Sequence, residues 1–324
     1  MAIDLLSITP NKVSRDLSGY ITYIYGPAGV GKTTLCTQFP SPLLLAFETG
    51  YHALPGIMVQ DVTTWGEMKQ VLRELKKPAV REKFKTIVID TLDIAGTLCE
   101  KHICSQLGIE TLGEGGWSVN GWSRYKKEIE ETFRSIVQLN YALVFISHDK
   151  DKTFKRKDGS EYNQIIPTAQ SSINEIAKNM VDIYGYAAIN QDGTRKLIFR
   201  SADGSVDCKS RFKYMPSEIE LNYDALVKAL NDAIDKEAAE HGNQFITTER
   251  ATEVIAPTYD YDALMEEFQT LTGELMQKDS PGYGPKIKEI VDHYLGKGKK
   301  VSETTRDQAE FIDLIVGEIK ETLM

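Results

Sequence analysis

Along the first 240 residues, short apolar runs alternate with segments whose apolar residues recur every three or four positions. The runs at residues 20–25, 43–47, 86–89 and 143–147 are rich in aliphatic and aromatic residues, the pattern of strands covered on both faces. Between them, residues 32–38, 65–75, 94–107 and 122–139 carry helical spacing; in the last, Trp122, Tyr125, Ile129, Phe133 and Ile136 fall on one stripe. This alternation predicts an α/β domain with a mostly parallel sheet. After residue 147 the pattern changes. Residues 182–190 and 195–201 flank Gln191-Asp192-Gly193-Thr194, where Asp-Gly supplies a hairpin turn, and a helix is expected over 223–239. Residues 241–258 have no periodicity and read as a linker. Three amphipathic stripes follow: Leu264/Phe268/Leu271/Leu275, Ile287/Ile290/Val291/Tyr294 and Ile312/Ile315/Ile319/Leu323. The expected organisation is a core at 1–240, a linker at 241–258 and a small helical domain at 259–324, near the lower size limit for folding alone.

The chain has 324 residues, 41% hydrophobic and 26% charged, enough to bury a sizeable core. It has no run of about 18 apolar residues, so no transmembrane helix is expected. The first residues lack the basic start and apolar stretch of a signal peptide. Cys36, Cys99, Cys104 and Cys208 form no C-x-x-C pair, which argues against a zinc site or a disulfide framework. A reducing cytoplasm is the expected compartment. The net charge of −9 argues against nucleic-acid binding only until it is divided along the chain. From residue 241 onward, 16 Asp/Glu face 9 Lys/Arg, a balance of −7, leaving −2 for the first 240 residues. The acid sits mostly in the tail, so the global charge says little about what the front portion binds.

Gly26-Pro27-Ala28-Gly29-Val30-Gly31-Lys32-Thr33 meets every fixed position of G-x-x-x-x-G-K-[ST], with a strand expected before it and a helix after. The glycines let the backbone curl so that successive N–H groups point at phosphate oxygens, while the helix offers its positive end. These residues, with Thr34 behind them, are the expected cradle for ATP. Lys32 would reach the β- and γ-phosphates, and the Thr33 hydroxyl would ligate Mg²⁺. A carboxylate at the end of a neighbouring strand is also needed to hold the metal. Asp90, closing Thr86-Ile87-Val88-Ile89, is the first choice and Asp93 the second; a helix-capping Asp is the plain alternative. Glu48 follows the run at 43–47 and would orient or deprotonate the attacking water, although an acid there is commonly a solvated strand end. His148 closes the run at 143–147, either as a sensor of the γ-phosphate or as a plain loop histidine.

The order of these signals resembles the RecA-type recombinase core, especially its short phage-encoded branch associated with single-strand annealing. The likeness covers about residues 15–220: the phosphate loop, then 43–48 with Thr49-Gly50-Tyr51-His52-Ala53-Leu54, then 87–90, then Val144-Phe145-Ile146-Ser147-His148. It implies a RecA-like P-loop NTPase core, to which the three amphipathic stripes add the small C-terminal helical domain. In that family the acid matching Glu48 is the catalytic carboxylate, and His148 stands where RecA carries a glutamine sensor. The likeness also implies two DNA-facing loops. One is 113–121, whose Trp117 would stack on a base. The other is 149–163, with Lys150, Lys152, Lys155, Arg156 and Lys157 around Phe154. Five bases against three acids over 149–158 would suit a phosphate backbone; a solvated hairpin tip is the plain alternative. Lys209-Ser210-Arg211 falls where RecA has two lysines acting on the neighbour's γ-phosphate, which implies hydrolysis between subunits of a ring or filament; an ordinary basic turn is the alternative.

The function expected from residues and resemblance together is a single-stranded-DNA-dependent ATPase promoting annealing or strand exchange, phage-encoded and working in the host cytoplasm. For the acidic tail, a single-strand-binding protein or another subunit is the expected partner, against a passive helical cap. Its basic exception, Gly296-Lys297-Gly298-Lys299-Lys300, reads as a joint between helices. Two other functions compete. One is a P-loop phosphotransferase using 150–157 as its lid; the other is an ATP-ordered, non-catalytic assembly factor in phage replication or packaging.

Overall fold

In the computed structural model, which describes residue 6 and residues 8–250 and 259–323, the four apolar runs form the parallel heart of a nine-stranded sheet. Its order is Glu218–Glu220, Arg195–Ile198, Ile183–Ile189, Thr22–Tyr25, Ala142–Ser147, Thr86–Asp90, Pro42–Ala46 and Val59–Asp61, with Lys209–Ser210 also on Ile183–Ile189. Every pairing from Ile183–Ile189 through to Val59–Asp61 is parallel, and the three pairings beyond are antiparallel. Alternate residues of each inner strand enter opposite cores. Tyr23, Leu45, Ile89 and Phe145 meet the helices Trp65–Leu75, Leu92–Leu107, Gly121–Gln138 and Ser171–Met180. Ile24, Leu44, Val88 and Val144 pack towards the helix Tyr223–His241 on the other side. Burial on both faces explains why these strands read as unbroken apolar runs. The result is a RecA-like α/β fold with C-terminal helices.

The described chain separates into two compact units, Pro10–Val254 and Ile255–Met324 with Met1–Thr9. In the second unit, the long helical stretch Tyr261–Leu295 breaks at Asp279, whose φ of −160° and ψ of 88° leave the helix. Asp279 then caps the next limb, its carboxylate accepting from Gly282 N at 3.1 Å, with Pro281 tolerated in the first turn. Together with Ala309–Leu323 this gives three helical limbs, and Leu271, Leu275, Ile287, Val291, Ile312 and Ile315 share their core. Among the described residues, no helix is long and apolar enough to cross a membrane.

Four expectations need correction. Residues 243–250 are packed structure, where a linker over 241–258 was expected. Ile246–Thr247 pairs in parallel with Val13–Ser14, and Arg250 donates to Ser18 O, at 2.6 Å in the shorter of two bonds. A two-residue strand shows no period, so it was invisible; residues 251–258 lie outside the described residues. Residues 149–163 form most of a hairpin, Asp149–Lys155 against Glu161–Pro167, where a loop was expected. The segment 113–121 holds a helical turn, Gly116–Val119. Trp122 is 42% exposed, packing edge-on against Tyr125 at the margin of the stripe assigned to it.

Candidate functional site

Because the inner strands are parallel, their ends reach the same edge of the sheet, and the phosphate loop, Asp90, Glu48 and His148 gather there. Gly26 follows Tyr25 directly, and a Cβ on it would collide with the carbonyl oxygen of Ala187. Gly31 caps the helix Lys32–Cys36 at φ +105°, a conformation that favours glycine. Lys32 is 6% exposed, and its ammonium donates to the carbonyls of Gly26 and Pro27 at 2.6 and 2.9 Å. One of its three N–H groups remains for a phosphate oxygen. Burial pulls its pKa below the ordinary lysine range, while Asp90, Asp149, Glu48 and Asp93 pull it back.

Thr33 Oγ1 donates to Asp90 Oδ2 at 2.7 Å, which places the two expected metal ligands side by side. A hydroxyl and a carboxylate are hard oxygen donors of the kind Mg²⁺ takes. Burial pushes the Asp90 pKa up to about 6, against the Thr33 hydrogen bond that lowers it, and the nearby Glu48 raises it further. Asp93 points elsewhere: it accepts from the Thr168 hydroxyl, and its second oxygen is buried without a hydrogen-bond partner among the described residues. Asp90 is therefore the better placed of the two acids.

Two strand spacings, roughly 10 Å, separate the strand before His148 from the strand before Glu48. The two long side chains close that gap over Asp90, with His148 Nε2 and Glu48 Oε1 3.3 Å apart. Thr91 Oγ1 donates to the other Glu48 oxygen at 3.4 Å. Thr34 is exposed on the first helical turn. Sequence reasoning missed Arg195, whose Nη1 would stand 3.2 Å from a Cβ on Gly31 and so lies beside the phosphate loop. It follows the Asp-Gly turn with no motif around it, and only the strand order brings it there.

Lys209 and Arg211 occupy the opposite edge of the sheet. Lys209 stands beside Tyr184 and Ser210 beside Ile183, at the start of a strand whose Tyr186 pairs with Tyr25 at the phosphate-loop end. Lys209 Nζ donates to Lys178 O at 2.5 Å, and Arg211 pairs with Asp182 at 3.2 Å and donates to Asn179 O at 2.9 Å. Neither reaches the phosphate loop of its own chain. Trp117 is 93% exposed.

The hairpin resolves its five bases by register. Lys150, Lys152 and Phe154 alternate onto one face with Ile166, Gln164 and Tyr162, while Asp149, Asp151 and Lys155 take the other. Phe154 stacks on Tyr162 with ring centres 5.6 Å apart. Lys152 lies 4.9 Å over Phe154 and Arg156 lies 4.5 Å over Tyr162, giving a column of cation, two rings and cation. Lys157 belongs to the turn. At its base the hairpin is tied to the phosphate-loop strand: the Tyr25 hydroxyl is 3.0 Å from Ile165 O, and Tyr186 donates to Asp149 at 3.1 Å.

A phosphate loop, a hydroxyl–carboxylate pair of hard oxygen donors and a polar strand end on a RecA-like sheet are the parts of a P-loop ATPase. The chain belongs to the AAA domain family, which it matches over residues 18–212. It is also similar to the SPbeta prophage-derived uncharacterized protein YorG of Bacillus subtilis (strain 168), at 27% identity over 333 residues, covering 100% of this chain and 99% of that protein. Among solved structures, the KaiC-like protein PH0186 of Pyrococcus horikoshii OT3 aligns with 59% of this chain and 83% of its own, at 12% identity and a TM-score of 0.34.

Proposed function

We propose that the protein is a single-stranded-DNA-dependent ATPase that assembles on DNA and promotes annealing or strand exchange in phage recombination, working in the host cytoplasm. The observation that carries this reading is the hairpin. It leaves the sheet immediately after His148, is hydrogen-bonded at its base to the strand feeding the phosphate loop, and presents cations and stacked rings on one face. Rings give bases a stacking surface, and the cations neutralise phosphates. The full-length likeness to a prophage-derived protein supports the phage setting.

In the proposed reaction Lys32 neutralises charge on the transferring phosphoryl group, and Mg²⁺, held through Thr33 and Asp90, supplies further charge neutralisation when bound. Glu48 accepts the proton of the attacking water while His148 and Thr91 hold its carboxylate. Binding of DNA to the hairpin would move its base and, through Asp149 and His148, reset the Glu48 carboxylate. Arg211 is more than half exposed and, among the described residues, ion-paired only to Asp182, so it is better placed than half-buried Lys209 to act on a neighbour's nucleotide. Turnover of ATP with and without single-stranded DNA tests the whole reading. Stimulation is expected. A rate indifferent to DNA, or phosphate delivered to a small acceptor in place of water, overturns it.

A further inference from the structure

The helical unit carries a groove of about 420 Å³ that the ATPase reading does not use. Met265, Phe268, Met276, Ile287 and Val291 line it, drawn from both limbs on either side of the Asp279 break. Ile287 and Val291 are buried and belong to the core, whereas Met276 is 41% exposed and leans over Gly284, where a Cβ would meet its sulfur at 3.6 Å. An apolar slot with mobile thioethers in its wall suits side chains of varied shape.

The charge around it runs against that of its surroundings. The tail from residue 241 carries a balance of −7, yet the residues lining the groove include Lys288, Lys299 and Lys300 and no Asp or Glu. Elsewhere in this unit Lys320 is paired with Glu267 at 2.5 Å and Arg306 with Asp262 at 2.8 Å. The three groove lysines form no salt bridge among the described residues and are exposed. The segment joining the limb that ends at Leu295 to Val301 thus does more than connect helices: it places two of the three ammonium groups at the groove mouth.

We infer that this groove docks an acidic segment of a partner protein, one bearing Leu or Phe anchors between Asp or Glu residues. The anchors enter the Met265–Phe268–Met276 slot and the carboxylates meet the lysines, the arrangement by which amphipathic segments bind basic-rimmed grooves. From Met265 to Met276 the wall runs roughly 16 Å, which matches about three helical turns of ligand.

The test uses the full chain and a fluorescent peptide of about 12 residues, three helical turns, with Leu and Phe spaced between Asp and Glu. Two control peptides replace either every acid by Lys or every Leu and Phe by Ser. Anisotropy titration is expected to show saturable binding of the first peptide alone, weakened by added salt. The surface variant K288E/K299E/K300E should lower affinity at least about tenfold, since rim attraction becomes repulsion. M276D, which puts a charge into the slot, should do the same while far-UV circular dichroism and melting stay near wild type. Binding of the Ser or Lys control as tightly as the acidic apolar peptide overturns the proposal. So does unchanged affinity in both variants. A concentration-dependent self-association that K288E/K299E/K300E abolishes and the peptide fails to compete would assign the groove to a second copy of the chain, and equally overturns it.

Discussion

At the phosphate loop, Lys32 is 6% exposed and its ammonium is held by two carbonyls, whereas a short way past His148 Lys152 and Arg156 stand in solvent with an aromatic ring beneath each. The two regions leave neighbouring strands of one sheet but are built differently. The first is a centre in which Lys32 and Asp90 are buried and each polar group is held by a neighbour: Thr33 by Asp90, Glu48 by His148. The second is an exposed face whose cations act additively, each worth little alone. Removing one group should therefore disable the centre, while the hairpin should lose function in steps.

The largest effect is expected at Lys32. Lys32→Ala removes the charge facing the transferring phosphoryl group and should reduce ATP turnover by about 10³-fold or more, the scale of a lost electrostatic stabiliser in a dry site. The substitution also removes a buried stem and two hydrogen bonds to the Gly26 and Pro27 carbonyls, so a modest fall in melting temperature is expected beside the loss of turnover. Turnover and melting measured on one preparation check this, and undiminished turnover would remove the phosphate loop from the reaction. Glu48→Gln comes next. The amide keeps the size of the side chain and its contact with Thr91 but cannot accept a proton, so turnover should fall roughly 10²–10⁴-fold while ATP still binds. Turnover within about twofold of wild type, far short of that loss, would make Glu48 a solvated strand end.

A third prediction concerns what the buried centre costs the fold. Asp90 has a pKa of about 6, above the roughly 3.9 of an unfolded aspartate. A carboxyl with a raised folded pKa contributes stability that is full below about pH 4 and is lost as pH rises through about 6. Near pH 7 the buried charge should weaken the fold by about 2–3 kcal/mol relative to a neutral group of the same shape. Asp90→Asn, which can still accept from Thr33, should accordingly melt higher than wild type at neutral pH without nucleotide or Mg²⁺. The gain should shrink towards pH 4, and ATP turnover should be lost at the same time. A pH-independent gain would place its origin in packing, and a lower melting temperature at pH 7 would mean that the carboxylate is stabilised in the fold.

The same contrast decides what could be read from the chain. Gly26 to Thr33 were legible because phosphate chemistry fixes both residue types and spacing, and Asp90, Glu48 and His148 because each follows an apolar run whose partners are parallel. Their meeting at one edge follows from that parallelism. The hairpin was legible only as a count of charges, since the sequence of 149–167 does not say which residues cross-pair. Register alone separates Lys152 from Lys155. Arg195 reaches Gly31 through a sheet neighbour far away in sequence, and the strand at Ile246–Thr247 is too short to show a period. Features that depend on long-range pairing stayed hidden for that reason.

The smallest effects, and the sharpest test of the second region, lie in the hairpin. Lys150, Lys152 and Arg156 are on or beside the face that carries Phe154 and Tyr162, while Lys155 is on the opposite face, across from Glu161. Each phosphate neutralised on a single strand contributes about −0.7 to the slope of log K against log salt. Replacing Lys150, Lys152 and Arg156 together by Ala should therefore flatten the slope by up to about 2 units. Lys155→Ala should leave it nearly unchanged, and ATP affinity should hold in both variants. Titration of labelled single-stranded DNA at several salt concentrations reads the slopes directly. Equal effects from the triple variant and from Lys155→Ala would show that DNA wraps both faces and that the aromatic column does not define the binding surface. Wild-type affinity and slope in both would leave the hairpin a solvated projection. The phosphate-loop centre would then stand as an ATPase whose partner lies elsewhere, because nothing in Lys32, Thr33 or Asp90 depends on DNA.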